Sequence, residues 1–120
     1  MSEDTHEIRT FDTGATRDTD IDKLDYEGFL SPIVLQRFAQ YMHKHRTQAN
    51  GELRHSDNWQ KGIPIREYMK SKWRHFIDTW LVYRGWSDKD IEEFLCAELF
   101  NTMGMLHELL KHKAGRGKDD

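Results

Sequence analysis

The stretch that decides the fold is residues 65–110, IREYMKSKWRHFIDTWLVYRGWSDKDIEEFLCAELFNTMGMLHELL. Large apolar residues recur in it every three or four positions, which is the period of an α-helix. The spacing predicts one helix over residues 65–84, ended by Gly85, and another that Ser87 opens and that runs to about residue 113. The apolar face of the first of these helices consists of Met69, Trp73, Phe76, Ile77, Trp80 and Tyr83. The stripe of the second that is expected to form the core consists of Ile91, Leu95, Leu99, Met103, Leu106 and Leu110.

A further helix is predicted upstream of this stretch. Ser31 and Pro32 form a helix start, with a hydroxyl cap and a proline at the first helical position, and the apolar period continues to about residues 43–46. Residues 47–64 are polar and contain Asn50-Gly51 as a breaker. A loop of this length is usually functional or mobile. The fold class predicted is all-α, a small helical domain of three main helices with a long functional loop.

Both ends of the chain are polar and poor in large apolar residues. Residues 1–22 are expected to form an irregular N-terminal arm, extended or flexible, without a convincing strand. Residues 23–113 should form a single helical domain, and residues 114–120 should be a disordered tail.

Composition narrows the functional classes. The net charge of −3 comes from 18 basic and 21 acidic residues without a basic stripe, which disfavours nucleic acid as a partner. The single cysteine, Cys96, excludes an intramolecular disulfide and is expected to be a buried thiol. No segment approaches the roughly 20 apolar residues of a membrane span, so a cytoplasmic protein is expected. Many large aromatic residues within a low apolar fraction (37%) suggest a homodimer.

Polar residues on the two long helices are the candidates for chemistry. His75 and Asp78 are three positions apart, so that their side chains project from adjacent turns on one side. An imidazole and a carboxylate at that spacing can share a cation, or the acid can orient the imidazole as a base. A local hydrogen bond on a solvated face is the alternative.

The last helix carries a second stripe, in which two acids and an amide alternate with the two smallest side chains: Glu93, Ala97, Asn101, Gly104 and Glu108. If the two long helices pack antiparallel, His75 and Asp78 can meet Glu93 and Asn101. Oxygen ligands with one imidazole suit Mg²⁺ or Mn²⁺, and we expect His75, Asp78 and Glu93 to hold such an ion. The alternative is a buried hydrogen-bond network between helices.

The long loop contains groups that recognise small polar ligands. Trp59 offers a stacking surface for a base, Lys61 a phosphate contact, and Gly62 room for backbone approach. The other interpretation of Trp59 is an anchor that holds the loop in place.

Several blocks of the chain resemble a known family. They are residues 14–17 (GATR), 23–32 (KLDYEGFLSP), 57–64 (DNWQKGIP), 73–76 (WRHF), 95–101 and 107–110, within a region of about residues 14–111. Together they resemble the phage and prophage family of the dATP/dGTP diphosphohydrolase N-terminal domain. Phe94 stands where that family commonly has a histidine.

The resemblance implies a helical domain that binds or hydrolyses a purine nucleotide or deoxynucleotide. It carries over Asn58, Trp59, Lys61, Gly62, Arg74, His75 and Asn101 as site positions. The first hypothesis is therefore a metal-dependent nucleotide diphosphohydrolase, with His75, Asp78 and Glu93 as catalytic residues and Lys61 and Arg74 on the phosphates. The alternatives are a nucleotide-binding protein without turnover, like a sponge, and a helical protein–protein adaptor.

Overall fold

The computed structural model describes residues 8–18 and 22–118, with the side chains of residue 18 and of residues 116–118 left aside. Its described residues contain two short strands and four α-helices, so the predicted all-α class is confirmed in its main part. The chain divides into two compact units, of which the first ends at Pro32 and the second begins at Ile33. None of the described helices combines the length and the hydropathy needed to cross a bilayer.

The first unit contains a hairpin where the sequence predicted no strand, and that prediction was wrong. Strand β1 (Ile8–Thr10) pairs with β2 (Thr16–Asp18) antiparallel, with Thr10 opposite Thr16. Gly14 makes the turn possible because its φ of 88° lies in the left-handed region. A single helical turn, α1 (Tyr26–Phe29), follows and is capped by the Asp25 carboxylate, which accepts from the Gly28 backbone N–H at 2.9 Å.

Three helices form the second unit. Helix α2 (Pro32–Lys44) begins at the predicted proline, and α3 (Ile65–Tyr83) ends beside Gly85, whose φ is 83°. Helix α4 (Ile91–Lys118) packs along α3. The predicted start at Ser87 was wrong because Asp90 caps the helix instead, its Oδ1 accepting from the Glu92 N–H at 2.9 Å. The helix also continues through residues 114–118, where the sequence predicted a tail.

The small-residue stripe of α4 makes a close contact with α3. Cys96, Ala97, Asn101 and Gly104 are buried, and Tyr68 of α3, 2% exposed, lies directly over Gly104. Only the missing Cβ at Gly104 allows this approach. Cys96 is thus the buried thiol that was predicted, and burial raises its pKa, which keeps it protonated.

The large apolar stripes, in contrast, are not the core of one chain. The exposed side chains on α3 are Met69, Trp73, Phe76, Ile77, Trp80 and Tyr83. Those on α4 are Leu95, Leu99, Leu106 and Leu110. The prediction that the α4 stripe forms the core was therefore wrong for these four leucines, while its other two members, Ile91 and Met103, are half-buried. The apolar period correctly predicted the helices. The buried face of α4, however, is the stripe of smaller and more polar residues that contains Ala97, Asn101 and Gly104.

Candidate functional site

A cavity of about 660 Å³ lies among the C-terminal half of α2, the loop that follows it, α3 and α4. A volume of this size is typical of small-molecule sites. Its lining residues all belong to the second unit. Four residues singled out from the sequence line it: Asn58, Trp59, His75 and Asn101.

The loop that forms one wall of the cavity is ordered by its own backbone. Thr47 and Leu53 form an antiparallel bridge, and the Arg54 N–H donates to the Arg46 carbonyl at 2.8 Å. Gly51, with φ of 84°, turns the chain between them. The loop therefore contains a small hairpin that places Arg46 and Arg54 opposite each other.

The rest of the loop is held against α4. A short 3-10 helix (Asn58–Lys61) presents the ring of Trp59 edge-on to Phe100 and to His107, with centroid distances of 6.1 and 4.9 Å. Lys111 Nζ also donates to the Gln60 carbonyl at 3.2 Å. Trp59 thus contacts α4 in the manner of an anchor while it also lines the cavity.

Arginine and histidine side chains make up most of the polar lining of the cavity. The lining contains two arginines and four histidines: Arg46, Arg54, His43, His45, His55 and His75. The described lining contains neither aspartate nor glutamate. Each arginine donates one N–H to a backbone carbonyl, from Arg46 Nε to Arg54 O at 2.8 Å and from Arg54 Nη1 to His45 O at 2.9 Å. Because a guanidinium has five N–H donors, further donors remain on both.

Aromatic and amide groups complete the lining. Tyr41, Trp59 and Phe100 contribute rings, and burial raises the pKa of the Tyr41 hydroxyl, which keeps it neutral. Asn101, 4% exposed, offers both a donor and an acceptor to the cavity. His75 Nδ1 is buried and has no hydrogen-bond partner among the described residues; its distance of 3.8 Å to Asp78 Oδ2 is too long for one.

Glu93 does not line the cavity but belongs to an ion-pair cluster beside it, where its Oε1 lies 4.0 Å from Nε2 of the lining residue His45. Arg37 of α2 donates to Glu92 Oε1 and to Glu93 Oε2, each at 2.8 Å, and Lys44 pairs with Glu93 Oε1. The hydrogen bonds from Lys44 and Arg37 lower the pKa of the Glu93 carboxyl. Both carboxylate oxygens thus already have cationic partners, and Glu93 joins α2 to α4.

The residues expected to hold Mg²⁺ or Mn²⁺ are not assembled as a ligand set. Among the described residues, no group of three His, Cys, Asp or Glu side chains is placed to share a metal ion. Glu93 would have to give up Arg37 or Lys44 to bind one. The donor set of the cavity, rich in cations, fits an anion better than a divalent cation.

The remaining predicted residues lie outside the cavity lining. Arg74 donates to Ser71 Oγ at 3.0 Å, Lys61 ends the 3-10 helix, and Gly62 follows it with φ of 127°. Asp78 lies one turn beyond His75 on α3 and is not part of the lining either.

Sequence reasoning missed the two arginines of the cavity. The signal that could have found them is the Asn50-Gly51 pair, which is typical of a hairpin turn, with Arg46 four residues before Asn50 and Arg54 four residues after it. Tyr41 was missed because one helical tyrosine carries no distinguishing pattern.

No protein-family model, curated protein or solved structure matches this chain.

Proposed function

We propose that this protein binds a purine nucleotide in the cavity and releases it chemically unchanged. The observation that carries the proposal is the lining itself: Arg46 and Arg54 on one wall, rings at Trp59 and Phe100, and the buried amide of Asn101. Guanidinium groups bind phosphates, rings stack on bases, and an amide can read the edge of a purine.

The same lining favours binding over hydrolysis. Diphosphohydrolysis with a divalent ion needs carboxylates beside the phosphates, and the described lining contains none. The two acids predicted to bind metal, Asp78 and Glu93, lie outside the lining, and Glu93 is already paired with two cations. The metal-dependent diphosphohydrolase predicted from the family resemblance is therefore the second candidate, and the resemblance is the reason to test dATP and dGTP first.

In this proposal the arginines neutralise the phosphates while the purine lies against the rings. His75, with a buried Nδ1 that lacks a partner, adds a group that can donate to or accept from the ligand once its tautomer adjusts. A phage-encoded protein of this type would act in the host cytoplasm by withholding a nucleotide.

Calorimetric titration with dATP and dGTP, without divalent ions, tests whether binding occurs at this cavity. Ser56 is exposed and lines the cavity, so Ser56→Glu adds one negative charge beside the phosphates. At a few ångströms and an effective dielectric of about 20, that repulsion exceeds 1.4 kcal/mol, or tenfold in affinity. Gln36→Glu on the exposed face of α2 makes the same change in net charge away from the lining.

We expect wild type and Gln36→Glu to bind with similar affinity and Ser56→Glu to bind at least about tenfold more weakly. Arg54→Gln should weaken binding by a similar factor, because a charge-assisted hydrogen bond is lost. Absence of heat with either nucleotide at millimolar concentration, or equal effects of Ser56→Glu and Gln36→Glu, would contradict the proposal.

A further inference from the structure

An exposed seam of large apolar side chains runs along α3. Met69, Trp73, Phe76, Trp80 and Tyr83 follow one another at alternating spacings of four and three residues. That alternation is the pattern of the contact positions in helices that pack side by side. Trp73 is nevertheless 64% exposed and Tyr83 78% exposed, so the seam has no partner helix among the described residues.

Helix α4 carries a matching seam. Its leucines are exposed at the same alternating spacing, which Thr102 interrupts: Leu95, Leu99, Leu106 and Leu109. Lys72 donates to Thr102 Oγ1 at 2.7 Å and Thr79 donates to Glu98, which places the two seams side by side. A groove of about 400 Å³, lined by Met69, Trp73, Phe76, Lys72 and Glu98, lies between them.

This double seam faces away from the nucleotide cavity. Helical geometry places positions 97, 101 and 104 of α4 on the face opposite positions 95, 99 and 106. Residues 97, 101 and 104 are buried, and residues 97 and 101 also line the cavity. What covers the seam is therefore independent of what fills the cavity.

The exposed area matches what a stable interface needs. A whole aromatic side chain buries 150–250 Å², so the exposed parts of the four rings on α3 amount to roughly 500 Å². With the leucines of α4, the face reaches roughly 800 Å², which is the contribution of each partner to a standard interface. Monomers rarely expose a contiguous apolar patch of this size.

We propose that this face is the interface of a homodimer, in which two α3/α4 hairpins pack seam to seam as a four-helix bundle. Two antiparallel helices with neighbouring seams provide half of such a bundle. The groove also carries one positive and one negative side chain, Lys72 and Glu98. A two-fold axis through the face pairs Lys72 of each copy with Glu98 of the other, so the face is self-complementary.

Light scattering on the 120-residue chain after size-exclusion chromatography, at micromolar concentration, tests the proposal. Wild type should have twice the chain mass of 14.3 kDa. Trp80→Glu should be monomeric, its dissociation constant raised roughly 100-fold or more because the two-fold axis places the substitution in the interface twice. Ile33→Glu, at a 76% exposed apolar position on α2, is the matched control and should stay dimeric.

A charge exchange serves as the second test if Trp80→Glu fails to fold by circular dichroism. Lys72→Glu and Glu98→Lys alone should each weaken the dimer, and the double variant should restore it. A monomeric wild type, a dimer that survives Trp80→Glu, or single charge variants that the double variant does not rescue would overturn the proposal.

Discussion

The contact between Tyr68 and Gly104 sets how closely α3 and α4 approach, and Gly104→Ala tests it. A Cβ added at Gly104 would lie 2.5 Å from the Tyr68 hydroxyl oxygen and closer still to the ring carbons Cζ and Cε1. The ring has no room to move, since Tyr68 is buried and packs edge-on against Phe100 at a centroid distance of 5.7 Å. The helices must therefore separate to admit the methyl group.

The expected cost follows from two opposing contributions. Overpacking a tight contact costs about 3 kcal/mol in an unyielding site, while replacing glycine by alanine within a helix stabilises it by about 1 kcal/mol. Gly104→Ala should therefore lower the free energy of unfolding by about 2 kcal/mol. Gly115→Ala in the same helix, where an added Cβ meets nothing within 4 Å, should be neutral or stabilising by up to about 1 kcal/mol.

Urea denaturation followed by circular dichroism measures both variants, and a double-mutant cycle identifies the cause. Tyr68→Leu removes the colliding ring atoms, so Gly104→Ala in that background should be neutral or stabilise by up to about 1 kcal/mol, with a coupling energy of about 2–3 kcal/mol. If Gly104→Ala stabilises the wild-type chain as much as Gly115→Ala does, Tyr68 does not lie over Gly104 and the described packing is refuted.

Two further changes test the elements around the cavity. Glu93→Gln should destabilise the fold at neutral pH by up to about 1 kcal/mol, because Arg37 and Lys44 lose a charged partner. Folding lowers the pKa of Glu93, so its contribution to the free energy of unfolding is present above the ordinary carboxyl pKa and is lost as the pH falls through the lowered pKa. Urea titrations should therefore give the same free energy of unfolding for wild type and Glu93→Gln in acid. A difference in stability that persists in acid would contradict this role. Trp59→Leu should release the 3-10 helix and lower thermal stability, while Trp86→Leu, at a largely exposed position, should leave the melting temperature unchanged; equal effects of the two substitutions would argue against the anchor.

The helices themselves could be predicted because their signals are local. Pro32 at the start of α2, Gly85 after α3 and the apolar period between them depend only on neighbouring residues. The start of α4 was misplaced because Ser87 and Asp90 are both good caps, and only the three-dimensional turn decides which one accepts the helical N–H. The hairpin of β1 and β2 was missed because its strands are three residues long.

Which helical face is buried could not be predicted from hydrophobicity. The most apolar residues of α3 and α4 are exposed in the single chain, and the buried contact uses Ala97, Asn101 and Gly104 because small residues let Tyr68 approach. Helical wheels identify faces, but they do not say whether the same chain or a second copy covers each face.

Some of the residues predicted for the candidate site line the cavity. His75 and Asn101 do line one cavity, as the antiparallel packing of the helices suggested, together with Asn58 and Trp59 of the loop. Glu93 was assigned to the same cluster because the sequence does not show that Arg37 and Lys44, about 50 residues earlier, pair with it. The metal and catalytic roles given to His75, Asp78 and Glu93 stay predictions.

The central claim is that the cavity holds a purine nucleotide without breaking it, and one experiment tests both halves. The purified chain is incubated with dATP or dGTP, with and without Mg²⁺ or Mn²⁺, filtered to separate bound from free ligand, denatured, and the nucleotides are separated by chromatography. We expect retention of the nucleotide without any divalent ion and its recovery as intact triphosphate under all conditions. A monophosphate that appears only with metal, and that Glu93→Gln abolishes, would contradict the claim and establish the diphosphohydrolase instead.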